Sequence, residues 1–454
     1  MTNPSFCPVP WMSTGIRNNG DMRVCCHANT SKGKGLHKNA EGVTYNVSVA
    51  SIQDARNSEV AKSVRLAMIR GERHGMCVRC NTEDDSGIRS RRVYENQIWG
   101  SKVDLSYAKA HTAADGSINT AETPLLHMDV RFGNLCNLKC RMCGPTDSSQ
   151  WYQEYYDTVG HGFHDTVGRI VLAPDAKGRI VAQNDPYKWS MTDPFWIEMD
   201  QTVLDHIEHI YFAGGEPLLF DKHYELLQRL IDRGRAGLVA IEYNTNLTNV
   251  PQRAWDIWKH FRVVSLGVSV DGFGPVNEYI RFPSKWKQIE ANLDKVDAAE
   301  GNLEAWLATT VQIDNIMNLP ELVKWKLSKN FKRVNRASSR FPFITAHPLH
   351  NPKHMNVQIL PDWIKKAVHV VYDRFYDWYD ANYYDENHRK LLHDLFDGYL
   401  KYMDSGRYDP EALAEFWRIT KKTDEYRKQD FLKVDPLMAR SILAHLRQSK
   451  LIGE

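Results

Sequence analysis

LHMDVRFGNLCNLKCRMCG, residues 126–144, decides the fold. It begins in a strand predicted near 124–132 and runs into a loop that carries Cys136, Cys140 and Cys143, with three and then two residues between them. Three thiolates held by one loop can ligate three irons of a four-iron cluster, which leaves the fourth iron open to a bidentate small molecule. A loop at the carboxyl end of a strand also sits where α/β sheets bind their ligands. Structural zinc is the competing chemistry, but it wants four protein ligands, usually in closely spaced pairs. His127 precedes the loop, yet it belongs to the strand and would have to curl back. Inert buried cysteines are a second alternative. The spacing favours iron–sulfur ligation.

Outward from this loop, strand and helix patterns alternate. Further strands are predicted near 208–213, 238–244, 263–270, 305–312 and 331–346, with Val357–Leu360 as another short one. HYELLQRLIDRG from His223 and LPELVKWKLSK from Leu319 read as helices between them. Such alternation predicts an α/β fold with a parallel sheet covered by helices. Six strands fall short of the eight that close a full barrel, and a partial (β/α)6 barrel is compatible with them. Residues 160–190 interrupt the pattern. IVLAP and RIVAQ flank a turn region at Asp175–Gly178 and suggest an inserted hairpin, read as a surface insertion in preference to a substrate lid.

The expected organisation is an iron–sulfur unit over 1–95, a linker over 96–121, a core over 122–350 and a mainly helical extension over 351–454. In the extension, Ile364, Ala367, Val368, Val371, Phe375 and Trp378 mark one helical face. Tyr372, Tyr376, Tyr379, Tyr383 and Tyr384 form a second aromatic set, for which ordinary amphipathic packing is more economical than a pocket.

Composition narrows the class. The 454 residues are about three times the usual single-domain length. Formal net charge is +2, from 58 Lys and Arg against 56 Asp and Glu, which makes no case for a nucleic-acid coat or a polybasic membrane anchor. No apolar run is long enough for a membrane span, and MTNPSFCPVPW lacks the charged flank and apolar core of a secretion signal. The expected compartment is the cytoplasm. Hydrophobic residues at 42% and aromatics at 11% exclude a largely disordered chain. The eight cysteines all lie at or before Cys143, in close clusters that suit metal ligation over a disulfide framework.

The first unit contains CPVPWMSTGIRNNGDMRVCC at 7–26 and GMCVRC at 75–80. Asn19–Gly20 predicts a hairpin over 13–24 that brings Cys7 towards Cys25. Val60, Val64, Ala67 and Met68 recur at helical spacing before Gly71 ends the pattern and delivers the chain to Cys77 and Cys80. Four separated thiolates can ligate a complete four-iron cluster or one zinc ion.

HIYFAGGEPLLF, residues 209–220, places Gly214, Gly215, Glu216 and Pro217 just after the second core strand. Two glycines permit close backbone approach to a ligand, and Glu216 can pair with a cationic amine. Taken with the cysteine loop, these residues resemble the radical S-adenosylmethionine (radical SAM) superfamily over about 122–350. The resemblance implies a [4Fe–4S] cluster on Cys136, Cys140 and Cys143, chelated by the amine and carboxylate of S-adenosylmethionine. It further implies cofactor contacts from Gly214, Gly215 and Glu216, from Asn244 in EYNTNLT, and from Ser269, Asp271 and Arg281 in SLGVSVDGFGPVNEYIR. Met142 departs from the pattern, standing where many relatives carry an aromatic residue.

The N-terminal unit resembles the twitch domain, a shortened SPASM domain that holds an auxiliary [4Fe–4S] cluster. Cys7, Cys25, Cys77 and Cys80 are the ligands so implied, with Cys26 the alternative to Cys25. Its order is unusual, because such a domain generally follows the radical core. A zinc ribbon is the simpler reading of the unit taken alone.

The resemblance implies reductive cleavage of S-adenosylmethionine, two [4Fe–4S] clusters, and a reducing partner such as flavodoxin or ferredoxin. Oxidative modification of a ribosomally made peptide or a protein side chain is the leading expectation. The alternatives are a sugar or aminocyclitol dehydrogenase or epimerase, and a non-enzymatic two-cluster electron carrier that would leave Gly214–Glu216 unused. Arg336 and Arg340 could receive a carboxylate or phosphate, or simply face solvent. His347, His350 and His354 are spaced across two prolines and do not by themselves establish a metal site.

Overall fold

The computed structural model describes residues 3–28, 35–334, 343–383 and 385–452. Arg336, Arg340 and Tyr384 lie outside them. Among the described residues, eight strands form one sheet. Two come from the N-terminal unit, β1 (Ser13–Ile16) and β2 (Met22–Arg23), and the first core strand is β3 (His127–Val130). Then come β4 (Gly162–Asp165), β5 (Gly168–Pro174) and β6 (Ile180–Ala182), which form a separate antiparallel sheet. The main sheet resumes with β7 (His209–Phe212), β8 (Ala240–Thr245), β9 (Val263–Ser269), β10 (Leu303–Val311) and β11 (Thr345–Pro348).

Its order is β2-β1-β3-β7-β8-β9-β10-β11. The six core strands are parallel and lie in chain order, the arrangement of a partial (β/α)6 barrel. Residues of β3 and β7 are buried throughout, as strands covered on both faces require. The helix Asp221–Asp232 shows the covering layer. His223, Leu226, Leu227 and Leu230 recur at helical spacing and are all buried, each leucine contributing about 1.5–3 kcal/mol. Among the described residues, no helix is long and apolar enough to cross a membrane.

Three features differ from the sequence expectation. First, β1 pairs in parallel with β3, in register from Ser13↔His127 to Ile16↔Val130. The N-terminal hairpin β1–β2 therefore extends the core sheet, and Ile16, Met22 and Ile52 join the main hydrophobic core. Second, the stretch 96–121, expected as a linker, contains a helix at Leu105–Ala110. Trp99, Val103, Ala108 and Ile118 pack with Trp11, Val64 and Met68 in one core. Third, Val357–Ile359 is a 3₁₀ turn, and the strand expected over 357–360 is corrected accordingly. The Asn356 side chain accepts from the Gln358 amide there, and a short apolar run between Asn and Pro carries no periodicity to separate turn from strand.

The insertion forms the expected hairpin from β5 and β6, with β4 added on the other side. It braces the N-terminal hairpin, because Thr166 Oγ1 lies 2.5 Å from Asp21 Oδ2 and accepts from Arg17 Nη1 at 2.9 Å. The C-terminal helices Asp362–Asn382, Glu386–Asp404, Pro410–Arg427 and Pro436–Gln448 pack over the β11 side and the underside of the cysteine loop. Tyr372 is fully buried and its hydroxyl donates to the Ile316 carbonyl, so this member of the aromatic set serves packing.

Lys326, in the helix Leu319–Lys329, is 1% exposed and donates to the Phe343 carbonyl. Burial pulls its ammonium down to about 7. The unfolded chain therefore binds the extra proton between pH 7 and about 10.5, and stability rises with pH across that window. Lys326→Met should flatten this rise, which is at most about 1.4 kcal/mol per pH unit. Denaturant midpoints measured at pH 7 and pH 9.5 check it; equal pH dependence in both proteins contradicts it.

Candidate functional site

The cysteine loop is closed on itself and held from below. Asn134 Nδ2 donates to the Pro145 carbonyl at 2.8 Å, and Ser148 Oγ to the Leu138 carbonyl at 2.5 Å. The Lys139 and Arg141 amides donate to the carbonyls of Phe282 and Ile280, both at 2.8 Å. Between the cysteines, Lys139 Nζ lies 2.7 Å from Glu154, whose two oxygens also accept from Arg427 Nε at 3.0 Å. Arg141 pairs with Asp424 and with Gln429. The C-terminal helix thus grips the loop through two buried ion pairs, a contact that nothing local in the sequence signals.

Cys136 and Cys140 are buried, Cys143 is half-buried, and none of the eight cysteines is in a disulfide. Donors approach the sulfurs: the Leu138 amide lies 3.4 Å from Cys136, Asn246 Nδ2 4.0 Å from Cys136, and Arg281 Nη1 4.0 Å from Cys140. A hydrogen bond from Cys143 holds the Cys140 thiol below its ordinary value, helped by Arg281, while burial pushes Cys136 up to about 12. Three thiols with polar hydrogens aimed at their sulfurs are a donor set suited to a thiolate-ligated cluster. His127 faces away from them. Its Nδ1 meets Ser13 Oγ at 2.7 Å at the opposite end of β3.

Gly214, Gly215 and Glu216 lie against this loop. Both glycines have positive φ, and a Cβ on Gly215 would come within 2.2 Å of the Leu135 carbonyl oxygen. The Glu216 amide donates to that same carbonyl at 2.8 Å. The Glu216 carboxylate is 2% exposed and accepts from Thr245 Oγ1 at 2.8 Å, the Asn246 amide at 2.7 Å and the Leu218 amide at 3.3 Å. Burial raises it to about 7 against those hydrogen bonds. Glu216 therefore ties the end of β7 to the end of β8.

Asp271 is fully buried. Its oxygens take the Thr310 amide at 2.8 Å and Arg281 Nε at 2.7 Å, so it positions Arg281 and does not itself line the cavity. Asn244, Ser269 and Arg281 do line it. The cavity holds about 470 Å³ and draws walls from the ends of all six core strands, from Arg131 after β3 round to Thr345 and His347 on β11. A single cavity touched by every core strand requires the sheet to curl around it. Its remaining wall comes from the N-terminal unit, with Cys26, His27, Arg79, Arg91 and Tyr94.

Sequence reasoning missed Asn18, Arg91 and Arg131. Asn18 lies in the β1–β2 turn, and its Oδ1 would meet a Cβ on Gly214 at 2.3 Å. Arg91 packs over the rings of Tyr94 and Tyr211, 3.8 Å from Glu242. Arg91 stands outside every motif, while Asn18 and Arg131 stand inside the quoted stretches 7–26 and 126–144 without a ligand signal of their own.

Cys7, Cys25, Cys77 and Cys80 converge on a second, narrow and mainly apolar cavity. Burial pushes all four thiols up, Cys80 to about 12. Four thiols on one pocket fit a metal centre, whose positive charge would offset the cost of ionising them there. Cys26 points instead into the larger cavity.

Fold and site together define a protein built around two clusters of free cysteines and a curled parallel sheet. Residues 130–311 match the Radical SAM superfamily and residues 7–81 match an iron-sulfur cluster-binding domain, SPASM. The chain carries a radical SAM domain and an N-terminal SPASM-type domain, and these imply S-adenosylmethionine, a [4Fe–4S] cluster and an auxiliary iron–sulfur cluster as its cofactors. No curated protein matches it. Among solved structures it is similar to native anSMEcpe with bound AdoMet, at 16% identity over 64% of this chain and 66% of that one, with a TM-score of 0.35. It is also similar to Streptococcus suis SuiB, at 11% identity over 80% and 68%, with a TM-score of 0.31. A third match is SuiB bound to its precursor peptide SuiA, at 12% identity over 60% and 54%, with a TM-score of 0.29.

Proposed function

We propose that this chain is a radical SAM enzyme that removes a hydrogen atom from a peptide or protein side chain and completes an oxidative modification. When bound, the core cluster and S-adenosylmethionine supply a 5′-deoxyadenosyl radical. Cys136, Cys140 and Cys143 hold that cluster, and Cys7, Cys25, Cys77 and Cys80 hold a second [4Fe–4S] cluster. One observation carries the reading. A single cavity is walled by Asn244, Ser269 and Arg281 beside the cysteine loop and by Cys26, His27 and Arg91 from the N-terminal unit.

Each residue has work to do there. Glu216 has four acceptor positions, three of them taken by Thr245, Asn246 and Leu218, and the fourth is available to the amine of S-adenosylmethionine. Gly214 and Gly215 let the backbone approach it. Arg281, fixed by Asp271, supplies a cation at the sulfur of Cys140 and for the methionine carboxylate. Tyr94, Tyr211, Trp306 and Tyr399 give the cavity apolar walls that keep water from a reactive carbon. Its volume suits one side chain and its neighbours. Flavodoxin or ferredoxin is the proposed electron donor.

The test is anaerobic incubation of reconstituted, reduced protein with S-adenosylmethionine. Methionine and 5′-deoxyadenosine in equal amounts are expected, and their absence from protein carrying intact clusters rejects the reading. Glu216→Gln should lower cofactor affinity about ten- to hundredfold, the value of one bond to a charged group, at unchanged iron content. Equal affinity would assign Glu216 to bracing β7 against β8 alone.

A further inference from the structure

Beside the auxiliary cysteines lies a further side-chain cluster. Glu83, in the helix Val78–Asp85, is 0% exposed, and three imidazoles surround its carboxylate. His27 Nδ1 lies 3.9 Å from Oε2, and His347 Nδ1 and His350 Nε2 each lie 3.8 Å from Oε1. All three distances are too long for hydrogen bonds. Glu83 Oε2, His347 Nδ1 and His350 Nε2 are buried with no hydrogen-bond partner, although every one of them is a ligand atom. Arg79 Nε donates to Oε1 at 3.1 Å, and Cys80 Sγ lies 3.9 Å from His27 Nδ1. The far nitrogen of His350 is already oriented, with Nδ1 3.3 Å from the Tyr402 hydroxyl, which turns Nε2 towards Glu83.

We propose that His27, Glu83, His347 and His350 form a binding site for one zinc(II) or similar divalent ion, adjoining the auxiliary cysteines without using their thiols. Two donors bound at about 2.0–2.2 Å around a tetrahedral ion lie roughly 3.4 Å apart, so each imidazole would have to close on the Glu83 carboxylate by about half an ångström to share an ion with it. Three imidazoles and one carboxylate are a donor set for zinc and its first-row neighbours. Placement gives the ion a task. His27 follows the edge strand β2, and His347 stands on β11 at the other edge of the open sheet. An ion held by both joins the two edges through side chains where, among the described residues, no strand pairing does so.

The proposal does not depend on S-adenosylmethionine chemistry, and its test separates the two. Full-length protein, reconstituted anaerobically with iron and sulfide, is equilibrated with zinc(II) and desalted. About one zinc per chain is expected at full iron content. Cobalt(II) in its place should give the ligand-field absorption of a nitrogen–oxygen site, without sulfur charge-transfer bands. His350→Ala, outside the lining of the large cavity, should lose the zinc while iron, sulfide and cofactor cleavage per cluster persist. Glu83→Gln, which keeps the shape beside Arg79, should weaken zinc binding by more than the roughly 10- to 100-fold cost of losing an outer partner. Removing zinc with a chelator should lower the melting temperature of the wild type and leave that of Glu83→Gln unchanged. Wild-type protein that retains no zinc at full iron content overturns the proposal. So does zinc that both variants keep, or zinc gained only as iron is lost, which would locate it on the cysteines.

Discussion

Replacing Cys136, Cys140 and Cys143 together with alanine is expected to abolish cleavage of S-adenosylmethionine and remove one of two clusters. Iron and acid-labile sulfide should fall from about eight to about four of each per chain, as loss of one four-iron centre requires. The fold should survive. The loop is closed by Asn134, Ser148 and the backbone bonds of Lys139 and Arg141, none of which uses a sulfur. The remaining iron should belong to Cys7, Cys25, Cys77 and Cys80, so the matching quadruple variant should show the complementary loss. Product chromatography and iron analysis on the same sample decide the matter. Cleavage that persists in folded triple variant would remove the assignment of this loop.

The second large effect concerns the clamp beneath the loop. Glu154→Gln should destabilise the protein by about 3–5 kcal/mol, because it leaves the fully buried Arg427 and its neighbour Lys139 without their counter-charge. Arg427 lies against the rings of Trp151 and Phe282, so it cannot turn out to water without opening the helix contact. The core cluster should loosen with it, since Lys139 and Arg141 alternate with its cysteines. Mild heating should therefore release about four irons before the auxiliary site releases any. Glu154→Gln/Arg427→Met should recover part of the stability, because an apolar pair avoids the cost of an unpaired buried charge. A melting temperature within about a degree of wild type for the single variant would contradict this account, since even 1 kcal/mol moves a mid-sized domain about 2–4 °C.

The class was legible in the sequence, because its marks are residue types at short fixed spacing. Cys136, Cys140, Cys143 and Gly214–Glu216 announce themselves locally, and the core strands follow from apolar runs between helical patterns. What escaped reading depends on partners far apart in the chain. Glu154 and Arg427 are 273 residues apart, and Ser13 and His127 are 114 apart. Neither pair leaves a periodic trace. Asp271 stood in the expected motif, but its use, holding Arg281 and the Thr310 amide, is settled by geometry that a turn-like Asp-Gly does not display. The histidines of HPLHNPKH showed no ligand spacing among themselves because Glu83 and His27 come from elsewhere.

The parallel pairing of β1 with β3 has a consequence for how the chain is made. Ser13–Ile16 leaves the ribosome first but finds its neighbour only after His127–Val130 has emerged. At ordinary rates of synthesis that delay is roughly ten seconds, during which a short unpaired edge and the nearby thiols of Cys7, Cys25 and Cys26 have no sheet to join. Loading the first iron–sulfur centre in that interval would fix the hairpin before its neighbour exists; loading it later would require the thiols to stay reduced while they wait. Excising residues 1–121 would not yield a free-standing catalytic half, because it would bare the long side of β3 as an unpaired edge open to other chains. Birth order thus makes the leading segment a scaffold on which the remainder is assembled.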